Sequence, residues 1–271
     1  MPELPEVETT RRGIAGRLTA HRIDEVIIRE RRLRWPVPAG LEGKLTGKTI
    51  TGVTRRAKYL LMLTTGGSAI MHLGMSGSLR IVKPDVAVQK HDHFDIRVDS
   101  GDILRFNDPR RFGCLLWSAQ DPAKHPLLAR LGPEPLTEAF DGHYLRTNSR
   151  GRKISIKQHL MNSQVVVGIG NIYASESLFI AGIHPQRAAG RIALDRMEML
   201  VQAVKSVLGE SIRVGGTTLR DFSGGDGKPG YFRQSLRVYG RDGAPCKKCK
   251  LPIRQIVQGQ RSTFYCPNCQ H

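Results

Sequence analysis

Residues 246–269 read CKKCKLPIRQIVQGQRSTFYCPNC, and the spacing of their cysteines decides the C-terminal fold. Two Cys-x2-Cys pairs, Cys246/Cys249 and Cys266/Cys269, flank residues 250–265. Knuckles at this spacing suit one tetrahedral zinc ion held by four thiolates on paired β-hairpins. Four protein ligands leave no open coordination position, so the ion is expected to be structural. A pair of redox dithiols is the alternative. Arg261 falls on the turn of the second hairpin, where a guanidinium can reach phosphate or simply stand in solvent. The remaining cysteine, Cys114, reads as a small core residue.

Upstream of this ribbon the pattern is helical. The stretches ISIKQHLMN (154–162), NIYASESLFIAG (171–182) and LDRMEMLVQAVKSVLGESIR (194–213) all read as helices. In the last, Met197, Leu200, Val201, Val204, Val207, Leu208 and Ile212 recur at spacings of three and four, which makes an apolar stripe. GIGNIYASESLFIAGIHP (168–185) opens a helix with a Gly-x-Gly-Asn turn. A helix N-terminus with Asn171 beside it is suited to a phosphate, although the same residues serve as a tight turn. A glycine-rich loop, GGTTLRDFSGGDGKPGYF (215–232), separates the long helix from the ribbon.

The N-terminal half reads differently. Val7, Thr10, Ile14 and Leu18 share one face of a helix running from Pro5 to about Leu18. IDEVIIRE, KYLLMLTT, SAIMHLG, SLRIVK, FDIRV and DILRFND follow, each short and bounded by turn formers. Strands at that cadence predict a β-sandwich or barrel ending near Trp117. Residues 130–140, RLGPEPLTEAF, carry two prolines and a glycine and are the best linker candidate. The class is therefore α+β: a β-sandwich with its N-terminal helix (1–130), a linker (131–140), a helical domain (141–234) and a zinc ribbon (235–271).

The formal net charge is +18 over 271 residues, with the basic residues spread along the chain. A field of that sign on a folded protein calls for a polyanion, most simply nucleic acid. No apolar run approaches ~18 residues and the N-terminus has no signal-peptide pattern, which argues against a membrane partner and for a cytoplasmic, nucleoid-associated protein. In NDPRRFG (107–113), Arg110, Arg111 and Phe112 follow a turn-forming Asp-Pro. An exposed Arg-Arg-Phe can wedge a ring into a base stack while a guanidinium reads a base edge; the alternative is a hairpin tip with Phe112 in the core.

With PELPEVE (2–8), RRAKYLL (55–61), HLGMSGSLR (72–80), NDPRRFG, VVGIGNIYASE (166–176), DGKPGYF (226–232) and QRSTFYC (260–266) in this order, the chain resembles the bacterial formamidopyrimidine-DNA glycosylases over nearly its full length. The resemblance implies a helix-two-turn-helix motif in the C-terminal domain, one structural Zn2+, and double-stranded DNA containing oxidised purines as partner. It also implies a bifunctional enzyme that removes 8-oxoguanine and formamidopyrimidines and then nicks the strand. A monomer is expected, because one chain supplies every part of the site.

The chemistry gives a reason for the opening residues. Removal of a base through an imine needs an amine that is unprotonated at working pH. An α-amino group titrates near ~8 against roughly 10.4 for lysine, so more of it is free at neutrality. Once Met1 is removed, Pro2 is the nucleophile that attacks C1′; β- and δ-elimination follow from the iminium. Glu3, tethered to the reacting centre, matches the family's proton-transfer carboxylate. Glu6 is a secondary candidate that holds the N-terminus, and for Glu8 a helix-dipole role fits best. By the same resemblance Lys58 lies near the lesion and its phosphates, and Asn171 and Arg261 pinch the backbone. Met75, Arg110 and Phe112 fill the gap left by the extruded nucleotide. His72 supports the Met75 loop or touches phosphate. Lys157 binds backbone or is a surface charge. The 215–232 loop closes over the flipped base. Asn162 stands where the family pattern has aspartate. PELPE matches the oxidised-purine branch; an oxidised-pyrimidine glycosylase and an inert DNA-binding module are the rival readings.

Overall fold

The computed structural model describes residues 2–216 and 236–271. Among these the chain divides into two compact units, residues 2–130 with 214–216, and residues 131–213 with 236–271.

The first unit opens with helix α1 (Leu4–Leu18). Its apolar face, Leu4, Val7, Ile14 and Leu18, is buried with Thr10, as the spacing predicts. Eight antiparallel strands follow: β1 (Ile23–Ile28), β2 (Ile50–Arg56), β3 (Tyr59–Thr64), β4 (Gly67–His72), β5 (Ser78–Val82), β6 (Asp92–Val98), β7 (Ile103–Asn107) and β8 (Cys114–Ser118). A short helix, α2 (Leu41–Leu45), sits between β1 and β2. The strands form two four-stranded sheets, in the orders β1-β6-β7-β5 and β2-β3-β4-β8. Alternate residues of both sheets, among them Leu60, Met62, Met71, Phe94, Phe106 and Leu115, meet Val7, Ile14 and Leu18 in one core. Phe94 and Phe106 stack there with ring centroids 4.9 Å apart. Such a common core between two antiparallel sheets is the sandwich that the strand cadence predicts. Cys114, next to Leu115 on β8, is also fully buried, and burial pushes its thiol up to about 12.

The second unit is built on α6 (Leu194–Arg213), against which α3 (Gly142–Ser149) and α5 (Asn171–Ile180) pack, with α4 (Ile156–Leu160) against α5. All of the predicted α6 stripe is buried except Ile212, which is half-buried. Its place is taken by Ser211, whose hydroxyl lies 2.6 Å from the Tyr173 hydroxyl. Residues 131–140 do not hang free as a linker. Gly132 N–H donates to Ser163 O, Pro133 O accepts from Val167 N–H, and Phe140 is fully buried, so the segment is packed onto the helical unit. Residues 214–216, which the sequence reading places with the helices, group instead with the first unit. Apart from Gly215 and Gly216, the glycine-rich loop assigned to base capping lies outside the described residues.

At the C-terminus, β9 (Arg254–Gln258) and β10 (Arg261–Tyr265) form one hairpin rather than two. Around the first knuckle the chain pairs less regularly, through a bridge between Pro245 and Pro252 and backbone bonds from Cys246 N–H to Leu251 O and from Gly243 N–H to Ile253 O. Phe179 of α5 packs with Val238, Ile253 and Phe264 around Cys246 and Cys266, so the ribbon shares a small core with the helical unit.

Candidate active site and nucleic-acid interface

Pro2 and Glu3 lie buried at the head of α1. Glu3 is the N-cap, and its N–H donates to Glu6 Oε2 at 2.8 Å in a capping box. Glu6 thereby holds the N-terminal peptide in place. Glu8 does more than serve the helix dipole. Its carboxylate accepts from Arg11 at 2.9 Å, Arg12 at 2.9 Å and Arg55 at 3.2 Å. Burial alone would raise this carboxyl; hydrogen bonds from Arg11 and Arg12 and the charges of Arg11 and Arg55 outweigh it and bring the pKa to about 2. Arg55 also donates to Ala57 O at 2.9 Å. Ala57 and Lys58 make the two-residue turn between β2 and β3, with Ala57 at φ +55°. Glu8 and Arg55 thus fasten the helix that bears Pro2 and Glu3 to the turn that bears Lys58.

His72 ends β4 opposite Tyr59. Burial, then the charges of Lys58 and Arg34, push its imidazole down to about 4. Its Nδ1 accepts the Gly74 N–H at 2.8 Å, so it supports the loop that carries Met75. Gly74 has φ +66°, and a Cβ there would come within 2.4 Å of the Phe112 carbonyl carbon, so only glycine lets the two loops touch. Asp108, fully buried, is the knot between them. It accepts from Ser76 Oγ at 2.7 Å, Arg110 N–H at 3.3 Å and Gly113 N–H at 2.8 Å. Sequence reasoning sees this residue only as a turn former; the signal for more is its place inside NDPRRFG.

Met75 and Phe112 are 38% and 40% exposed. Large apolar side chains so placed are not core residues, and the alternative of Phe112 in the core is excluded. The Arg110 guanidinium lies 4.8 Å over the Phe112 ring. Arg111, at φ +55°, turns away to pair with Glu30 at 3.3 Å.

The second unit assembles the remaining candidates. Gly168, at φ +79°, turns the chain into Gly170, the N-cap of α5, and Asn171 is the first helical residue. Asn171 Nδ2 donates to Ser262 O at 2.9 Å. Arg261, the neighbour of Ser262, stands exposed at the start of β10, just past a Gly259-Gln260 turn in which both residues have positive φ. Lys157 is 1% exposed, not a surface charge. Its Nζ donates to Asn171 Oδ1 and, at 2.6 Å, to Thr263 Oγ1, which ties α4, α5 and β10 together. Asn162 Oδ1 accepts the Gln164 N–H at 3.0 Å. An aspartate would make the same turn bond, so the family departure keeps the local fold.

The four cysteine Sγ atoms all lie within 4.8 Å of one another, and none is in a disulfide. Tetrahedral Zn–S bonds of about 2.3 Å put sulfur atoms roughly 3.8 Å apart. Cys246–Cys269 at 3.9 Å and Cys249–Cys266 at 3.4 Å fit that cage. These residues hold one structural zinc.

The comparisons with known proteins cover the same ground. Residues 1–115 match the model of the formamidopyrimidine-DNA glycosylase N-terminal domain, residues 131–223 the formamidopyrimidine-DNA glycosylase H2TH domain, and residues 243–271 a zinc finger found in FPG and IleRS. The formamidopyrimidine-DNA glycosylase of Thioalkalivibrio sulfidiphilus is 60% identical and that of Methylococcus capsulatus 59%, each over 100% of both chains. Among solved structures, a Lactococcus lactis FPG mutant in complex with Fapy-dG containing DNA aligns over 100% of both chains at 33% identity and a TM-score of 0.93. The Thermus thermophilus FPG protein aligns over 99% of this chain and 98% of its own at 36% identity and 0.89. From its first helix to its zinc ribbon, the chain belongs to the formamidopyrimidine-DNA glycosylase family.

Proposed function

We propose that the chain excises oxidised purines from duplex DNA and then cuts the strand, with the N-terminal amine of Pro2 as nucleophile. One observation carries the reading: Pro2 and Glu3 are buried together at the head of α1, and the Glu6 carboxylate anchors the peptide that joins them. Attack of the Pro2 nitrogen on C1′ forms a C–N bond while the C1′–base bond breaks. Glu3 delivers the proton that lets the C1′–O4′ bond open to an iminium. The iminium acidifies C2′–H; loss of that proton expels the 3′ phosphate, and a second elimination expels the 5′ phosphate.

The neighbouring residues serve extrusion. Arg261 grips a backbone phosphate, with Asn171 holding Ser262 beside it and Lys157 stiffening both. Lys58 adds a cation near the lesion, and His72 offers its Nε2 proton from a neutral ring. Met75 and Phe112 fill the vacated stack while Arg110 bonds the acceptor edge of the unpaired cytosine. In the cell the reaction belongs to the bacterial nucleoid; no helix among the described residues is long and apolar enough to cross a membrane.

Borohydride trapping on a duplex with one 8-oxoguanine opposite cytosine, followed by peptide mapping, tests this. A covalent adduct on Pro2 is expected. An adduct on a lysine, or none from protein that has lost Met1 and binds the duplex, refutes the assignment. A matched duplex with an oxidised pyrimidine reports whether the purine preference holds.

A further inference from the structure

The NDPRRFG loop stands on a histidine to which the proposed reaction gives no part. His93 lies in β6, where the pairing with β7 slips by one residue: Asp92 pairs with Asn107 and Phe94 with Phe106. His93 is thus the extra residue of a β-bulge, a device that bends a strand and re-aims a side chain. Its carbonyl accepts the Arg29 N–H at 2.8 Å and the Glu30 N–H at 3.2 Å, so the backbone at the bulge is held. The ring is buried and leans on Phe106, with centroids 6.3 Å apart. Its Nε2 lies 2.7 Å from the Asp108 carbonyl oxygen. A carbonyl oxygen can only accept, so Nε2 carries a proton and donates it.

That carbonyl opens the turn on which Arg110 sits. It also accepts the Arg111 N–H at 3.1 Å, the bond that closes a β-turn with Pro109 and Arg110 at its centre. Pro109 presets the first central position, and Arg110 stands exposed at the second. Both lone pairs of the Asp108 oxygen are therefore in use, one by the turn itself and one by His93. The Asp108 N–H donates to His91 O at 3.1 Å, so the same short segment of chain holds both peptides of Asp108. A histidine that only filled core space could bond any free carbonyl of its own sheet. This one is aimed at the peptide that sets where the Arg110 side chain begins.

We propose that His93 is a positioning residue that sets specificity for the base opposite the lesion. Its hydrogen bond fixes the plane of the Asp108–Pro109 peptide, and with it the point from which Arg110 reaches the acceptor edge of an unpaired cytosine. The proposal rests on the role given to Arg110 above; His93, being buried, acts only through it. Three substitutions separate the bond from the space the ring fills. His93→Gln keeps an amide N–H at the reach of Nε2, His93→Asn is as polar but too short, and His93→Met fills the space without a donor. Single-turnover excision of 8-oxoguanine opposite cytosine and opposite adenine is measured for each full-length variant, alone and combined with Arg110→Ala.

The cytosine-to-adenine rate ratio is expected to fall about 10-fold in His93→Asn and His93→Met. His93→Gln should keep the parental ratio within about twofold, and none of the three should change the ratio further once Arg110 is alanine. A merely structural loss would slow both duplexes alike, and that result overturns the proposal. So does an unchanged ratio in His93→Asn and His93→Met, or a fall that persists in full beside Arg110→Ala. Should Arg110→Ala by itself leave the ratio as it is, Arg110 does not read the opposite base, and this proposal falls with that reading. Trapping on Pro2 is scored separately, so the proposed chemistry stands or fails on its own.

Discussion

The His72 imidazole accepts the Gly74 N–H on Nδ1, so its single proton sits on Nε2. Its folded pKa is pushed from 6.5 to about 4 by burial and by the Lys58 and Arg34 charges. Below 6.5 the unfolded chain takes up a proton that the folded chain refuses until about 4. Stability tied to His72 is therefore fully present above 6.5 and is lost as pH falls through that window. The urea midpoint is expected to decline from pH 6.5 to pH 4, and His72→Asn to flatten part of that decline. Buried His159 and half-buried His184 also titrate low, so the difference between the two proteins is the measurement that counts. Identical slopes would show that His72 takes a proton as easily folded as unfolded. Lys157 is the residue whose setting was least legible. Its burial depends on Thr263, a partner more than a hundred positions along the chain, and no local pattern around ISIKQHL records that.

At the scale of elements, legibility followed length and regularity. Helix α6 runs for 20 residues and α1 for 15, enough for periodicity to stand out. Helix α3, GHYLRTNS, buries Leu145 as its one large apolar side chain, and β2, ITGVTRR, buries only Ile50 and Val53, so neither carries a readable period. What joins elements is harder to read still, because it rests on single carboxylates. Asp108 ties the Met75 loop to the Arg110–Phe112 loop, so Asp108→Asn sets an amide against the Gly113 N–H and is expected to cost about 1–3 kcal/mol. Excision at saturating DNA should slow with it. A variant as stable and as fast as the parent in denaturant and single-turnover assays would mean the loops hold their places unaided. Glu8→Gln, which weakens the Arg55 link between α1 and the Lys58 turn, should slow borohydride trapping while duplex affinity changes little. Unchanged trapping would show that the turn keeps its place without Glu8.

For the molecule as a whole, the +18 charge was the first sign of a nucleic-acid partner, and it is also the least specific. Charge sets how strongly a polyanion is held; it does not say which residues hold it. The family resemblance located the candidates, and the structure separates them into cations of two kinds. Arg261 stands exposed at the edge of a hairpin turn, free to meet phosphate. Lys157 is enclosed by protein and bonded to it. Counterion release distinguishes the two, because each phosphate neutralised adds about 0.9 to the slope of log K against log salt on B-DNA. Arg261→Ala is expected to make that slope shallower by about one, to weaken binding evenly across sequences, and to leave thermal stability unchanged. Lys157→Met removes a buried cation whose bonds join α4, α5 and β10, so it should lower the melting temperature as well as affinity. Affinities measured from 50 to 300 mM salt beside melting curves decide the matter. An Arg261→Ala protein with the parental slope would return that residue to the solvated turn that its position alone would suggest, and would leave phosphate binding in this unit to the α5 N-terminus.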